Sequence, residues 1–511
     1  MTTTARGTET PTLGHWIDGG PAAGGAGART APVHDPATGQ VVAHVPLAGP
    51  GEVDAAVAAA LRAFPAWSQV PLGRRASILF RFRELLVEHT DALAGIISRE
   101  HGKVLSDARG EVARGLEVVE FAAGIPQLLK GEFSDQASTG VDVYSFRQPL
   151  GVVAAITPFN FPVMVPLWMV PVAVATGNTV VLKPSERDPS ASLLLAELLR
   201  QAGLPDGVLN VVHGDREAVD HLLRHRDVAA VSFVGSTPVA RHIHATAVAH
   251  GKRVQALGGA KNHAVVLADA DLEAAADALT AAAFGSAGER CMAVSVALVE
   301  DAAADRLVEL LAAKARAVRV RPGDHPDADM GPVITRAAKE RIEGLIGGAE
   351  RAGARLVVDG RGHVVHGHED GFFVGPTVVD GVTADMEIYR EEVFGPVIDV
   401  VRVTGLEEAV GVINANPYGN GAALFTASGE AARTFQRAVS AGMVGINVAI
   451  PVPVAYHSFG GWGDSLFGES HIYGPEGVRF YTRGKVVTER WPRTRDAAPP
   501  ASFHFTGGAG L

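Results

Sequence analysis

The sequence predicts an α/β protein made of doubly wound, parallel-sheet lobes with a small β element outside them. Three observations carry this prediction. Short β-branched runs alternate with longer helical runs across residues 150–257, the alternation resumes at Asn262, and 511 residues suffice for about three domains. Residues 132–147 and 477–491 interrupt the pattern and can pair outside the main sheets.

In chain order, Val53, Val57, Leu61 and Phe64 share one helical face, and Ile78, Phe82, Leu85 and Leu86 mark the next helix. Both are leading helices of the first lobe. LGVVAAIT is short and β-branched, hence a strand, whereas PVMVPLWMVPVAVATG is long enough for a buried helix, and TVVLK is again extended. SASLLLAELLRQAG is helical, VLNVV extended, REAVDHLLRH helical, AAVSFV extended, TPVARHIHATAVAH helical and KRVQAL extended. The second lobe repeats the scheme with NHAVVLA, DLEAAADALTAAAFGSAG, VSVALVE and DRLVELLAAKARAV, of which the first and third are strands. EFSDQASTGVDVYSFR reads as a polar hairpin and GVRFYTRGKVVTERW as a late strand. The ends, rich in Thr, Gly, Ala and Pro, are expected to be mobile tails.

Composition removes several function classes. Hydrophobic residues at 47% and charged residues at 20% describe a globular chain, not a disordered one. A net charge of −11 argues against a polyanion-coating protein, so no nucleic acid partner is expected. Residues 148–182 carry no charge, which meets the length of about 20 apolar residues that can span a bilayer. Pro149, Pro158, Pro162, Pro166 and Pro171, with Asn160, Gly177 and Asn178, break that run, so no membrane span is expected. The N-terminal MTTTARGTETPTLGH lacks the apolar core of a signal peptide, and the expected location is cytoplasmic. The single cysteine, Cys291, excludes an intrachain disulfide and a multi-cysteine zinc site, and no metal is expected.

Cys291 lies in AAFGSAGERCMA, where small neighbours leave access for a substrate. A neighbouring cation such as Arg290, or a helix end, would favour its thiolate, the form that attacks a carbonyl. A free cysteine is also often buried and inert, and spacing alone leaves both readings open.

Five strings occur together: TPFNFP at 157–162, LKPSE at 182–186, FVGST at 233–237, GERC at 288–291 and EEVFGPV at 391–397. In this order they resemble the aldehyde dehydrogenase superfamily, over nearly the whole chain apart from the tails. The resemblance implies that family's fold: a Rossmann-like NAD-binding domain (13–130 and 148–257), an α/β catalytic domain (258–470) and a β-ribbon oligomerisation element (131–147 and 471–492), with mobile tails at 1–12 and 493–511. It implies a homo-oligomer, a dimer or tetramer. By the same resemblance Cys291 attacks an aldehyde carbonyl, and the Asn160 amide with the Cys291 backbone N–H stabilises the oxyanion. Hydride then passes to a nicotinamide, leaving a thioester on Cys291. The cofactor residues implied are Thr157, Phe159, Lys183, Ser185, Glu186, Gly235, Ser236, Glu392 and Phe394. Lys183 and Glu186 would take the adenosine ribose hydroxyls, and Glu186 would repel a 2′-phosphate, which favours NAD over NADP. Gly235 and Ser236 sit at a strand-to-helix turn suited to a pyrophosphate, although G-x-G-x-x-G is absent and Ala240 stands where many members have a further glycine.

One departure refines the resemblance. Hydrolytic members carry E-L-G-G-K, whose glutamate activates the deacylating water; here the aligned string is Leu257-Gly258-Gly259-Ala260-Lys261. Leucine cannot accept a proton, so either another carboxylate substitutes or a different acceptor, the coenzyme A thiolate, takes the acyl group. VQALGGAKNH, GERCMA, INVAIPVPVAYHSFGGWGDSLFGE and FYTRGKVVTERWP are similar to CoA-acylating methylmalonate- and malonate-semialdehyde dehydrogenases. That subfamily binds the substrate carboxylate with two arginines, which correspond to Arg114 and Arg290. The expected products are propionyl-CoA or acetyl-CoA with loss of carbon dioxide. A hydrolytic aldehyde dehydrogenase and a non-catalytic binding protein on the same fold are the alternatives.

Overall fold

The computed structural model describes residues 10–25 and 27–491. Five parallel strands form the heart of the first sheet, in the spatial order Leu209–Val211, Thr179–Lys183, Val152–Ile156, Val228–Val234, Arg253–Leu257. Antiparallel strands close both edges: His15–Ile17 and Gly20–Ala22 on one side, Leu466–Phe467 on the other. Strand side chains alternate between faces, and each face has its own helical cover. Val153 and Ala155 pack with Phe82, Leu86 and Leu167, whereas Val152, Ala154 and Ile156 pack with Val53, Val57, Leu222 and Ile243.

The uncharged run falls in this core. Its helix, Met164–Ala175, is buried at all 12 residues, so its apolar character is spent on protein packing. Among the described residues, no helix is long and apolar enough to cross a membrane.

A second sheet runs in the order Arg355–Val358, Thr377–Asp380, Val397–Val403, Val294–Glu300, Asn262–Val266, Gly421–Phe425, Met443–Ile446. Only its Arg355–Val358 edge is antiparallel. The third sheet is an antiparallel ribbon of Glu132–Ser138, Val141–Pro149 and Thr482–Glu489. Arg253 at the first sheet's edge donates to the carbonyls of Phe480 (2.6 Å) and Thr482 (2.7 Å), which fixes where the ribbon departs.

Several expectations need correction. Leu61 is 45% exposed although Val53 and Val57 on the same helix are buried, because the buried stripe of the helix Pro50–Ser68 runs through Val53, Ala56, Val57, Ala60 and Trp67 and leaves Leu61 beside it. The helix begun by DLEAAADALT ends at Phe284, and Gly285–Gly288 forms a tight turn with Ser286 and Ala287 in the left-handed region (φ 53° and 51°). The late strand begins only at Thr482; Gly474–Phe480 is a short helix, started by Pro475 and held by burial of Val478 and Phe480. Of the tails, residues 1–9 and 493–511 lie outside the described residues, while the chain at 11–13 is tied down: the Leu13 N–H donates to the His44 carbonyl, and the His44 N–H to the Pro11 carbonyl.

The topology positions the site. Strand order reverses direction between Val152–Ile156 and Val228–Val234, and at such a switch point the loops after the carboxyl ends part to leave a crevice. Those loops are 157–160 and 235–236.

Asn178 offers a test of the packing. It is fully buried; its Oδ1 accepts from the N–H of Leu150 (2.7 Å) and Gly151 (3.1 Å), and its Nδ2 donates to the carbonyls of Ala173 and Tyr481 and to Thr176 Oγ1. Asn178→Leu should lower the melting temperature by several degrees, since each orphaned group costs about 1–3 kcal/mol. An unchanged melting temperature would refute this account of the strand's entry.

Candidate active site

Cys291 follows the left-handed turn and sits partly exposed where two cavities meet. Gly288 in that turn must be glycine: its φ is 73°, and an added Cβ would lie 2.0 Å from the Gly395 carbonyl oxygen. Asp107 braces the turn, accepting from the Ser286 N–H (3.0 Å) and from the Arg290 guanidinium (2.7 Å). The Cys291 carbonyl accepts from the side-chain amides of Asn262 (2.8 Å) and Asn420 (3.0 Å), and Asn262 Oδ1 accepts from the Gly421 N–H. The nucleophile's backbone is thus tied to the second sheet.

Burial pushes the Cys291 thiol up to about 12, and the Glu392 carboxylate adds to the shift. This departs from the expectation that Arg290 would favour the thiolate. The Arg290 charge is engaged by Asp107, and Arg290 does not figure among the groups shifting the thiol.

The first cavity, ≈ 420 Å³, is lined by Cys291, Arg114, Arg290, Phe161, Trp168 and Phe459, among others. Both predicted arginines therefore face the cysteine across one chamber. Each already has partners: Arg114 donates to Glu117 (2.9 and 3.0 Å) and to the Pro453 carbonyl (3.1 Å), and Arg290 to Asp107.

The second cavity, ≈ 340 Å³, gathers Asn160, Phe159, Gly235, Ser236, Glu392 and Phe394 around the other side of Cys291. Gly235 and Ser236 precede the helix Thr237–Ala249, and Ser236 makes no side-chain cap, leaving the helix N-terminus available. A Cβ on Gly235 would come within 2.4 Å of the Phe233 ring, so the turn is bare backbone by steric necessity. Phe159 meets Phe394 edge-on at 5.8 Å, with the Arg187 guanidinium 5.0 Å from its ring centre. Glu392 Oε1 accepts from the Ala260 N–H (3.0 Å), and burial lifts its carboxyl to about 7.

Lys183, Ser185, Glu186 and Thr157 do not line this cavity. They stand at the ends of the neighbouring strands, where Lys183 pairs with Glu186 at 3.2 Å. Burial works to raise the Glu186 carboxyl, but Lys183, the Glu186 backbone N–H and Arg187 together outweigh it and hold the group below the usual carboxylate range. Ser185 Oγ accepts from the Arg187 N–H, and the buried Thr157 Oγ1 has no partner. Leu257 is 3% exposed, within the first lobe's apolar core, so no carboxylate occupies that position.

Sequence reasoning missed Lys103, Asp107, Glu111, Asn262 and Asn420. Asn262 lies within VQALGGAKNH; the other four fall outside every motif string. Among the described residues, no cluster of three or more His, Cys, Asp or Glu could hold a metal.

Over nearly its whole length the chain is similar to known semialdehyde dehydrogenases. The malonate-semialdehyde dehydrogenase of Pseudomonas aeruginosa is 56% identical, covering 97% of this chain and 99% of its own length. An Arabidopsis thaliana mitochondrial methylmalonate-semialdehyde dehydrogenase, described as acylating, is 51% identical, covering 92% of this chain and 78% of its own. A solved Sinorhizobium meliloti 1021 structure, assigned as a methylmalonate-semialdehyde dehydrogenase and complexed with NAD, superposes with a TM-score of 0.94 at 51% identity, covering 95% of this chain and 99% of that one. The model of the aldehyde dehydrogenase family matches residues 24–487, and with the cysteine, the crevice and the two-sheet fold in place, the chain belongs to that family.

Proposed function

We propose that the protein oxidises malonate semialdehyde or methylmalonate semialdehyde with NAD and transfers the acyl group to coenzyme A, releasing carbon dioxide and acetyl-CoA or propionyl-CoA. The observation that carries this reading is Leu257 at the position of the missing deacylation base, with Arg114 and Arg290 facing Cys291 across one cavity. The names of the close relatives support it.

Cys291 Sγ adds to the aldehyde carbon once its proton has passed to solvent water in the open cavity, and Asn160 donates its side-chain amide to the resulting oxyanion together with the Cys291 backbone N–H. NAD, when bound, supplies the acceptor for the hydride that leaves the thiohemiacetal carbon. The second cavity suits it: the uncapped helix N-terminus and bare Gly235 favour a pyrophosphate. Lys183 with Glu186 would hold the adenosine ribose, and Glu392 the nicotinamide ribose beside Phe394. Thioester formation leaves Cys291 acylated until a coenzyme A thiolate attacks the carbonyl and returns Cys291 as thiolate. Decarboxylation is feasible because the carbanion left behind is conjugated with the thioester.

Three units follow from the same reading: a dinucleotide-binding domain (13–130 and 148–257), a catalytic domain (258–470) and an oligomerisation element (131–147 and 471–492), with the corrections that Leu466–Phe467 adds to the first sheet, that 472–481 packs into the first lobe's core and that the ribbon strand itself is Thr482–Glu489. The ribbon exposes Phe133 and Val486, which suits burial against further copies of the chain. A single free cysteine fits a reducing compartment, and we assign the cytoplasm.

Rapid mixing with NAD and semialdehyde but no coenzyme A should give a burst of NADH near one per active site, then slow turnover. Adding coenzyme A should restore continuous turnover. Fast steady NADH formation with free acid as product would instead select the hydrolytic reading, with Glu392, whose carboxyl titrates near neutrality, as the substitute base. For the carboxylate, Arg114→Leu and Arg290→Leu should each raise KM for the semialdehyde far more than for propanal. Equal effects on both aldehydes would make these arginines structural.

A further inference from the structure

Lys103 and Glu111 form a buried ion pair that neither the motifs nor the proposed chemistry accounts for; each is 2% exposed. Lys103 stands between the helices Thr90–His101 and Leu105–Ala123, and Glu111 lies on the second of these. All three ammonium hydrogens are committed: one to Glu111 Oε2, one to the Asn160 backbone carbonyl at 2.6 Å, and one toward the Phe161 ring, whose centre is 3.9 Å from Nζ. The other carboxylate oxygen, Glu111 Oε1, accepts from the N–H groups of Val163 (2.8 Å) and Met164 (3.1 Å). One ion pair therefore grips the loop 160–164 at both ends, and that loop carries the Asn160 amide.

The grip is itself anchored. Gly102 adopts φ 94°, and the following chain is hemmed in by two glycines of the loop 323–331: a Cβ on Gly323 would fall 2.2 Å from the Lys103 carbonyl oxygen, and one on Gly331 1.9 Å from that of Gly102. The lysine thus projects from a backbone that cannot shift.

A buried ion pair is a poor source of stability, because desolvating both charges offsets most of their attraction. Its use here is geometric. We propose that Lys103 is a positioning residue for acylation: gripped by Glu111, its ammonium holds the Asn160 carbonyl so that the Asn160 side-chain amide points at the oxyanion. This rests on the role proposed for Asn160.

The test is a double-mutant cycle on the NADH burst at saturating substrate and coenzyme. Asn160→Ala should slow the burst by roughly 10²–10³. Lys103→Met should slow it by roughly 10- to 100-fold, the scale of a small misplacement of a catalytic group. KM and NAD affinity should stay within a factor of about two, because Lys103 lines neither cavity. Adding Lys103→Met to Asn160→Ala should slow the burst no further. Because Lys103→Met leaves Glu111 charged and unpaired, Lys103→Met with Glu111→Gln is measured alongside; the glutamine amide keeps an oxygen for the Val163 and Met164 N–H groups. This variant should melt near wild type yet stay slow. If Asn160→Ala alone leaves the burst unchanged, the oxyanion reading fails whatever Lys103 does. If Asn160→Ala is slow but Lys103→Met is not, or if their effects multiply, the positioning proposal is overturned. Recovery of the wild-type burst by the Lys103→Met, Glu111→Gln variant would also overturn it.

Discussion

Everything near Cys291 depends on the central strand Val152–Ile156 being buried on both faces. A strand covered on both sides is favoured to be apolar, and this one, flanked by separate helical cores, is apolar at every position. Its hydrogen bonds to Thr179–Lys183 on one side and Val228–Val234 on the other make it the point where strand order reverses. The loop that leaves its carboxyl end, carrying Asn160, therefore opens into a crevice with the Gly235 turn opposite. The second sheet delivers Cys291 to the same place through the amides of Asn262 and Asn420.

The site keeps its charges compensated until substrate arrives. Arg114 and Arg290 are paired with Glu117 and Asp107, and burial, with Glu392, pushes the Cys291 thiol up, against ionisation. A substrate carboxylate would have to share these guanidiniums with acidic partners already in place. With both arginines taking the substrate carboxylate, as proposed, a nonspecific anion that matched only one of them would compete poorly with the existing pairs.

What the sequence revealed and what it hid divide along physical lines. Strands and helices of the first lobe were legible because burial on two faces imposes short, continuous runs of small, apolar and β-branched residues, as at 152–156 and 179–182. The places of Asn160 and Leu257 were legible because each sits in a string at the carboxyl end of a strand, and that of Cys291 because the small residues before it mark a turn. The arginine contacts were not, since Arg290 reaches back to Asp107 in a distant helix, and adjacency to Cys291 suggested an electrostatic role that the pairing removes. Lys103 and Glu111 were hidden for a similar reason: a lysine after a glycine and an acid on a helix ordinarily face solvent, and only the tertiary fold buries them together. The helix Gly474–Phe480 was obscured by the aromatic and β-branched residues around it.

The central claim is that an apolar Leu257 leaves the thioester on Cys291 without a route to water. The most direct measurement is mass spectrometry of the Cys291 peptide, quenched within seconds of mixing the enzyme with NAD and semialdehyde, before and after coenzyme A is added. The account predicts an acyl adduct on Cys291 in nearly every chain, discharged as acyl-CoA when coenzyme A arrives. Unmodified Cys291 throughout, with free acid accumulating in the absence of coenzyme A, would contradict it.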